Sequence, residues 1–369
     1  MDMRGLSNFI RDIREATSSR EAEAKRVAEE LSKIRAKFIN NAAVTTYDRK
    51  KYVCKLLFIF MLGYEVDFGH MEAIELLAGQ SASEKLIGYL AVSVLLHENH
   101  PLLLLITHTM TIDIVRGAEL QRTLALSAVA NIGNRDTVES VAAHVSAVLM
   151  SRTCPTPVRK RAILAALHVF RKNPTILDLN EIGPAIVGLV ASHDFAISTC
   201  ACAFAEELLR SRDMREHALG AKSSAITKLT DIIVDRRTPP EYMHIQVPAP
   251  WLQVRLLRLL QYFPPPSDEG EAARLSIILS KIIKASEKVV SEVQQQMSFK
   301  RGANSNRSNL FVATLVEAVS VCILWDSDPV ALSHAREALG ILIGDKRDPN
   351  VKSLGLLMLS RMSFVSSDN

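Results

Sequence analysis

The stretch ELQRTLALSAVANIG, residues 119–133, carries the pattern that decides the fold. Its apolar side chains recur three and four residues apart, and a glycine follows the last turn. This pattern is typical of an amphipathic α-helix whose apolar side is buried against other helices. The composition agrees, because 48% of the chain is hydrophobic but only 5% is aromatic, so aliphatic side chains fill the core.

Comparable stretches recur along the chain at a nearly constant interval. They begin at Leu86, Leu120, Val158, Ile197, Leu310 and Val351. The first four are spaced roughly 34 to 39 residues apart and the last two about 41, which is the period of helical-hairpin repeats. No convincing period-2 strand and no alternation of strands with helices interrupts them. The sequence therefore predicts an all-α fold, a right-handed α-solenoid of HEAT/armadillo-like helical hairpins.

Three segments depart from this repeat without dividing the chain. Residues 236–251 and 262–270 are rich in proline, which predicts loops on either side of one helix. Residues 288–309 are polar and poor in large apolar side chains, which predicts a mobile surface loop. The helical pattern resumes after each segment, so we expect residues 1–369 to form one solenoid domain.

The cysteines and the apolar runs indicate a cellular compartment. Five cysteines, an odd number with no CxxC pair, favour free thiols in a reducing compartment. The start of the chain is mixed in charge and does not resemble a secretory leader. The longest apolar runs are shorter than the roughly 20 residues of a membrane span. We therefore expect a protein of the cytosol, or of the cytosolic side of a membrane.

The sequence contains no recognisable catalytic motif. It has no GxGxxG, no GxxxxGK[ST] and no GxSxG. The group HENH, residues 97–100, lacks the spacing of a helical zinc site, and Cys200 and Cys202 point to different sides of a helix. We expect no enzymatic activity, no cofactor and no metal, although an enzyme with a site assembled across the repeats remains an alternative.

The basic residues concentrate at the start of the chain. Residues 1–60 hold 13 Lys/Arg against 8 Asp/Glu, whereas the rest of the chain holds 31 against 32. A solenoid that follows nucleic-acid phosphates should be basic along its length, so nucleic acid is not an expected partner. Two interpretations of these basic residues remain: a local anion site, and a chance cluster on solvated helix faces.

The stretch YDRKKYVCKLLFIF, residues 47–60, is the candidate anion site. We predict that Asp48 caps a helix that begins at Arg49. On a helical wheel, Lys51 and Lys55 share an exposed face opposite a buried stripe. That stripe consists of Val53, Leu56, Leu57 and Phe60.

Cations at a helix start oppose the helix dipole, whereas the same free N–H groups attract phosphate. The pattern therefore favours a polyanionic headgroup as the ligand of this helix start. The alternative is a solvated helix end that tolerates the small penalty.

Several stretches of the sequence resemble those of the alpha-adaptins, the large subunits of the plasma-membrane clathrin adaptor complex. The most specific are KKYVCKLLFIF (50–60), FGHMEA (68–73) and VPAPWLQVRLLRLLQ (247–261), which favour this family over the gamma-type subunits of the Golgi adaptor. The resemblance is clearest over residues 4–100 and 247–266. It implies a trunk solenoid that cradles the small sigma subunit in an assembly with the mu and beta subunits.

The resemblance also implies ligands and site residues. The implied lipid is phosphatidylinositol 4,5-bisphosphate of the inner plasma-membrane leaflet, and the implied location is clathrin-coated pits, with a cytosolic pool. The residues implied to bind the headgroup are Arg49, Lys50, Lys51, Tyr52, Lys55 and Arg4. Arg14 matches an arginine that helps to hold the acidic residue of a dileucine cargo signal. Clathrin is implied only as an indirect partner.

The sequence departs from the family in three places. Ile39 stands where the family tends to have another lysine, and Asp48 adds a negative charge beside the basic run. The resemblance implies a trunk that continues well beyond residue 369, followed by a hinge and an appendage domain, and we expect both to be absent from these 369 residues. Another HEAT/armadillo scaffold, such as a different coat-complex or nuclear-transport subunit, remains the alternative function.

Overall fold

A computed structural model of the chain describes residues 3–16, 19–39, 44–295, 301–325, 329–344 and 348–366. The chain divides into two compact units, Met1–Asp178 and Leu179–Asn369. Apart from a two-residue β-hairpin and short 3₁₀ and π-helical turns, the regular structure of the described residues is α-helical, as the sequence predicted.

The first unit contains nine of the α-helices. They are α1 (Arg4–Ala16), α2 (Arg20–Ile39), α3 (Thr46–Met61), α4 (His70–Ala78), α5 (Ala82–Leu95), α6 (Leu103–Arg116), α7 (Glu119–Ile132), α8 (Arg135–Met150) and α9 (Thr156–Lys172).

The second unit contains the rest. Its helices are α10 (Leu179–Val190), α11 (Phe195–Arg210), α12 (Ala221–Leu229), α13 (Pro250–Leu260), α14 (Glu269–Gln295), α15 (Arg301–Leu324), α16 (Pro329–Ile343) and α17 (Pro349–Ser366). The hairpin strands β1 (Met243–His244) and β2 (Val247–Pro248) pair antiparallel between α12 and α13.

The helices of each unit pack in two layers, which confirms the predicted repeat. In the first unit α1, α3, α5, α7 and α9 contact one another in succession, and α4, α6 and α8 form the second layer. In the second unit α11, α13, α15 and α17 form one layer, and α10, α12, α14 and α16 the other. The six apolar stretches with the constant spacing all lie in helices with odd numbers. Each hairpin therefore buries its apolar face against the next, as an α-solenoid requires.

Two buried features fix the middle of the first unit. Gly88 lets α5 approach α4 closely, because a Cβ atom there would lie 2.5 Å from the backbone nitrogen of Leu77. One turn away, the ammonium of Lys85 lies 2.7 Å from the carboxylate of Asp113 on α6, and Tyr89 donates a hydrogen bond of 2.6 Å to the same carboxylate. Burial, together with this hydrogen bond, raises the pKa of Tyr89. These groups tie three helices together with their polar atoms satisfied.

The segment predicted as a mobile loop, residues 288–309, is helical over its described parts. Helix α14 continues to Gln295 and α15 begins at Arg301, while residues 296–300 lie outside the described residues. The prediction took polar composition as a sign of a loop. Glutamate, glutamine and lysine are strong helix formers, however, and a solvated helix needs few large apolar side chains.

Helix α15 contains a window, Arg307–Leu324, that is long and apolar enough to cross a membrane. Polar residues interrupt this window, so it does not stand out in the sequence as a continuous apolar run. Half of the window is buried inside the protein, and α15 packs against α13, α14 and α17. A position in the core of the second unit accounts for its composition.

Candidate functional site

The start of α3 differs from the prediction. Thr45, not Asp48, is the N-cap: its hydroxyl oxygen accepts the backbone N–H of Asp48 at 3.1 Å, and its O–H lies 2.8 Å from the carboxylate of Asp48. The helix begins at Thr46, so Asp48 occupies the first turn, where the helix dipole favours a carboxylate. The cations that begin with Arg49 lie one turn further in, which removes most of the expected conflict with the dipole.

Lys51 lies at the junction of α3 with the start of α1. Its ammonium is 2.5 Å from the carboxylate of Asp48 and 4.5 Å from the centre of the Tyr52 ring. On α1, a Cβ atom at Gly5 would come within 2.9 Å of the Lys51 side chain. The absence of a side chain at Gly5 therefore lets the Lys51 side chain lie against α1, next in sequence to the exposed Arg4.

The hydrogen bond between Lys51 and Asp48 shifts the titration of both groups. The bond from Lys51, and then the one from Thr45, lowers the pKa of Asp48. Burial opposes the charge of Lys51, but the bond to Asp48 outweighs it and raises the pKa of Lys51. Both side chains are thus charged at neutral pH, and the carboxylate of Asp48 forms an ion pair with the ammonium of Lys51.

Lys55 is buried, which corrects the prediction that it shares an exposed face with Lys51. Its ammonium lies 2.5 Å from the carboxylate of Glu30 on α2, and only 9% of the side chain is exposed. Arg26 bonds the same carboxylate at 3.0 Å and Asp12 of α1 at 3.0 Å. Burial favours the neutral acid, yet the bonds from Lys55 and Arg26 lower the pKa of Glu30. The wheel placed Lys55 beside Lys51, but it could not show that α1 and α2 cover that face.

Arg49 and Lys50 point away from Lys51. The guanidinium of Arg49 lies 2.9 Å from the carboxylate of Glu75 on α4. Lys50 is buried and donates a hydrogen bond of 3.1 Å to the hydroxyl of Ser83 on α5. The predicted headgroup residues therefore divide into a Lys51 side, next to α1 and α2, and an Arg49 side, next to α4 and α5.

The predicted buried stripe of α3 is confirmed at three of its four positions. Val53, Leu56 and Leu57 are buried, whereas 41% of Phe60 is exposed. Phe60 lies in the last turn of α3.

Arg4 and Arg14 are both exposed and lie at opposite ends of α1. Ten residues of α-helix separate them, which is about 15 Å along the axis. Only Arg4 is next to the Lys51 side. The two predicted sites on α1 are therefore spatially distinct, so they can be tested separately.

No pattern in the sequence points to the acids that hold these cations. Glu30 and Asp12 look like ordinary solvent-facing residues of amphipathic helices, and their bonds to Lys55 and Arg26 appear only once α1, α2 and α3 are packed together. Gly5 offered a weak signal, since a glycine near a helix start often marks a close approach.

The other candidate chemical groups have structural roles. His97 and His100 lie in the turn after α5, where each accepts a backbone N–H two residues further on. Cys200 and Cys202 are buried in α11, and burial raises the pKa of Cys202 to about 12. The raised pKa disfavours the thiolate of Cys202, which is the reactive form of a cysteine.

Comparison with known proteins finds a family whose sequences resemble this chain. Residues 23–368 match the family described as the adaptin N terminal region. The chain is 36% identical over 369 residues to AP-2 complex subunit alpha-2 of Dictyostelium discoideum. The match covers 99% of this chain and 36% of that protein. The chain is also 37% identical over 368 residues to AP-2 complex subunit alpha-1 of Arabidopsis thaliana. That match covers 99% of this chain and 34% of that protein.

More distant similarities are found in sequence and in fold. AP-1 complex subunit gamma-2 of Arabidopsis thaliana is 30% identical over 362 residues, 98% of this chain and 39% of that protein. A homology model of the full-length AP-3 complex in an intermediate open conformation matches with a TM-score of 0.52 at 18% identity, over 88% of this chain and 50% of that chain. The chain spans roughly a third of the length of the alpha subunits that it matches.

Proposed function

This chain belongs to the adaptin N-terminal family, and from that premise we propose that it is a trunk subunit of the plasma-membrane clathrin adaptor complex. In this role it is a scaffold without enzymatic activity that helps to select cargo in clathrin-mediated endocytosis and vesicle transport. The observation that carries the proposal is the collinear match to alpha subunits at 36% and 37% identity, against 30% for a gamma subunit.

The proposed protein partners are the sigma, mu and beta subunits, with clathrin reached only through the complex. The first unit exposes large apolar side chains of α5, Leu86 and Leu90, that a partner could cover. Exposed apolar surface of this kind is typical of protein–protein contacts. We propose that the sigma subunit contacts this surface.

Co-purification from cells tests the assembly. We expect the wild-type chain to recover sigma, mu and beta subunits. Leu90→Asp should lose sigma, whereas Leu357→Asp in the second unit is a matched control, because 52% and 48% of the two side chains are exposed. Recovery of nuclear-transport partners in place of adaptor subunits would support the alternative scaffold and contradict the proposal.

The proposed lipid ligand is phosphatidylinositol 4,5-bisphosphate at the cytoplasmic face of the plasma membrane. Lys51, Tyr52 and Arg4 form the part of the site that a headgroup can reach most directly, and Arg49 and Lys50 extend it towards α4 and α5. Each basic residue near an anionic membrane surface contributes about 1 kcal/mol. A few such residues give weak binding, and the other subunits of the complex would raise the avidity.

Lys55 has a different role within this proposed site. Because Glu30 already neutralises its ammonium in a buried position, we propose that Lys55 holds α3 against α1 and α2 below the headgroup. The phosphate contact itself falls to Lys51, whose partner Asp48 is more exposed, with 33% of its side chain accessible.

We propose that Arg14 holds the acidic residue of a dileucine cargo signal. It is an exposed cation at the last turn of α1, far from Arg4. In the assembled complex, Arg14→Gln should weaken binding of a dileucine peptide and leave bisphosphate binding unchanged. Arg11→Gln, another exposed arginine of α1, is the matched control. Equal peptide binding by the Arg14→Gln and wild-type complexes would contradict this role.

A further inference from the structure

We propose that the second unit contains a binding site for a small amphiphile, an apolar molecule that carries one anionic group. The site is a cavity of about 540 Å³ that lies beside residues 236–248. It is independent of the proposed adaptor partners and of the basic residues of α1 and α3.

The cavity has apolar walls from several elements. Ile282 and Ala285 of α14, Phe311 of α15, Ile232 and Val247 all line it. Its volume falls in the range of roughly 300–1,000 Å³ that is usual for small-molecule sites, which are mostly apolar with a few polar groups. An apolar body of modest size is therefore the expected main part of the ligand.

The backbone beside the cavity is irregular to an extent seen nowhere else in the described residues. Four non-glycine residues there have positive φ: Arg236 (57°), Ile245 (47°), Gln246 (67°) and Ala249 (40°). A two-residue hairpin turn accounts for the middle pair. A π-helical turn, Thr230–Val234, comes immediately before the segment and contributes to the wall. Both kinds of irregularity are enriched at functional sites.

The irregular segment is held in place by packing, so the cavity is already formed. Tyr242 stacks on Phe195 of α11 with 5.0 Å between ring centres. The backbone N–H of Ala249 donates to the carbonyl of Tyr242 at 2.9 Å, and the side-chain amide of Gln253 donates to the carbonyl of Pro248 at 2.5 Å. A preformed cavity lowers the entropy that binding must overcome.

Polar groups at the cavity indicate the charge of the ligand. Arg236 and Lys281 line it, and neither has an ion-pair partner within the described part of the chain. By contrast, the neighbouring Arg237 bonds Asp231 at 3.2 Å. The hydroxyl of Thr238, another lining residue, is buried without a hydrogen-bond partner. Among the described residues, the lining contains no Asp or Glu. Two cations and an unused hydroxyl on apolar walls fit an anionic group with an apolar tail.

Isothermal titration calorimetry of the full chain with decanoate, below its micelle concentration, tests the site. We expect saturable binding of one decanoate. Ala285→Trp, which fills the cavity, should abolish it, whereas Ala273→Trp on the exposed face of the same helix should not. Lys281→Gln should weaken binding about tenfold, the usual worth of a charge-assisted hydrogen bond, while Lys284→Gln, exposed and outside the lining, should leave it unchanged.

Decan-1-ol separates the two parts of the proposal. It should bind more weakly than decanoate and should not respond to Lys281→Gln. Absence of saturable decanoate binding, or binding to Ala285→Trp as tight as to wild type, would overturn the site. Equal affinities for decanoate and decan-1-ol would overturn the anionic ligand. If Ala285→Trp did not fold by circular dichroism, the surface pair Lys281→Gln and Lys284→Gln would decide alone.

Discussion

The cations of the first three helices and those of the cavity in the second unit differ in what they face. Lys51 and Lys55 each lie 2.5 Å from a carboxylate of their own chain. Arg236 and Lys281 are exposed, have no ion-pair partner in the described residues and line a cavity with apolar walls. A basic stretch of sequence can therefore be mostly structural, while cations that are scattered along the sequence remain available for a ligand.

Loss of the buried cation Lys55 should have the largest effect. In Lys55→Met, Glu30 keeps Arg26 but loses its closest partner in a buried position. We expect the first unit to lose about 3 kcal/mol of stability, since breaking a buried pair leaves an uncompensated charge. Thermal denaturation followed by circular dichroism measures it.

Two further variants make that measurement specific. The double variant Lys55→Met/Glu30→Leu should regain part of the loss, because both buried charges are then gone. Lys33→Met, at an exposed position of the same α2 helix, should have little effect. A Lys55→Met chain as stable as wild type would show that the pair does not hold α3 in place.

Acid should remove the same stabilisation. The pKa of Glu30 is lowered in the folded chain by Lys55 and Arg26. The stability it contributes is therefore complete above the ordinary glutamate pKa of about 4.3 and is lost as the pH falls through the lowered value. We expect the stability difference between wild type and Glu30→Gln to shrink on acidification from pH 6 to pH 3. A difference that stayed constant would contradict this assignment.

Replacing Thr238, whose hydroxyl lies in the cavity lining, should change the stability of the chain in the opposite direction. Thr238 is buried without a partner for its oxygen, so Thr238→Val should raise stability by about 1 kcal/mol. Thr314 lines the same cavity, but its hydroxyl donates to the carbonyl of Phe311 at 3.1 Å. Thr314→Val should therefore be neutral or destabilising. Equal effects of the two changes in thermal denaturation would show that the Thr238 oxygen is not unsatisfied.

The fold could be predicted from the sequence more completely than the candidate site could. The spacing from Leu86 to Ile197 was enough to predict a solenoid, because every hairpin obeys the same periodicity. The site was predicted less well, because a helical wheel gives the direction of Lys55 but not the identity of the helix that covers it. Glu30 lies 25 residues before Lys55 in sequence, so only packing brings the two together. The proline-rich segment 236–251 was recognised as an interruption, but proline content does not reveal a cavity.

The smallest expected effect is that of replacing Asp48, which forms an ion pair with Lys51 in the proposed headgroup site. Asp48→Asn should free Lys51 from its ion pair while the cap from Thr45 remains. We expect a few-fold tighter binding to vesicles that contain phosphatidylinositol 4,5-bisphosphate, since one unfavourable charge is removed from the headgroup site. Asp67→Asn, at an exposed acid of the same unit that bonds Arg35, is the control. Weaker binding by Asp48→Asn would mean that Asp48 positions Lys51 for the lipid.

The most direct test is vesicle co-sedimentation of the double variant Arg4→Gln/Lys51→Gln. The matched control is Arg255→Gln/Lys284→Gln, which removes the same charge from the second unit outside the cavity lining. If α1 and α3 form the headgroup site, the first variant loses bisphosphate-dependent binding, by about thirtyfold for two basic residues, and the control keeps it. Equal binding by the two variants and the wild type would contradict the account.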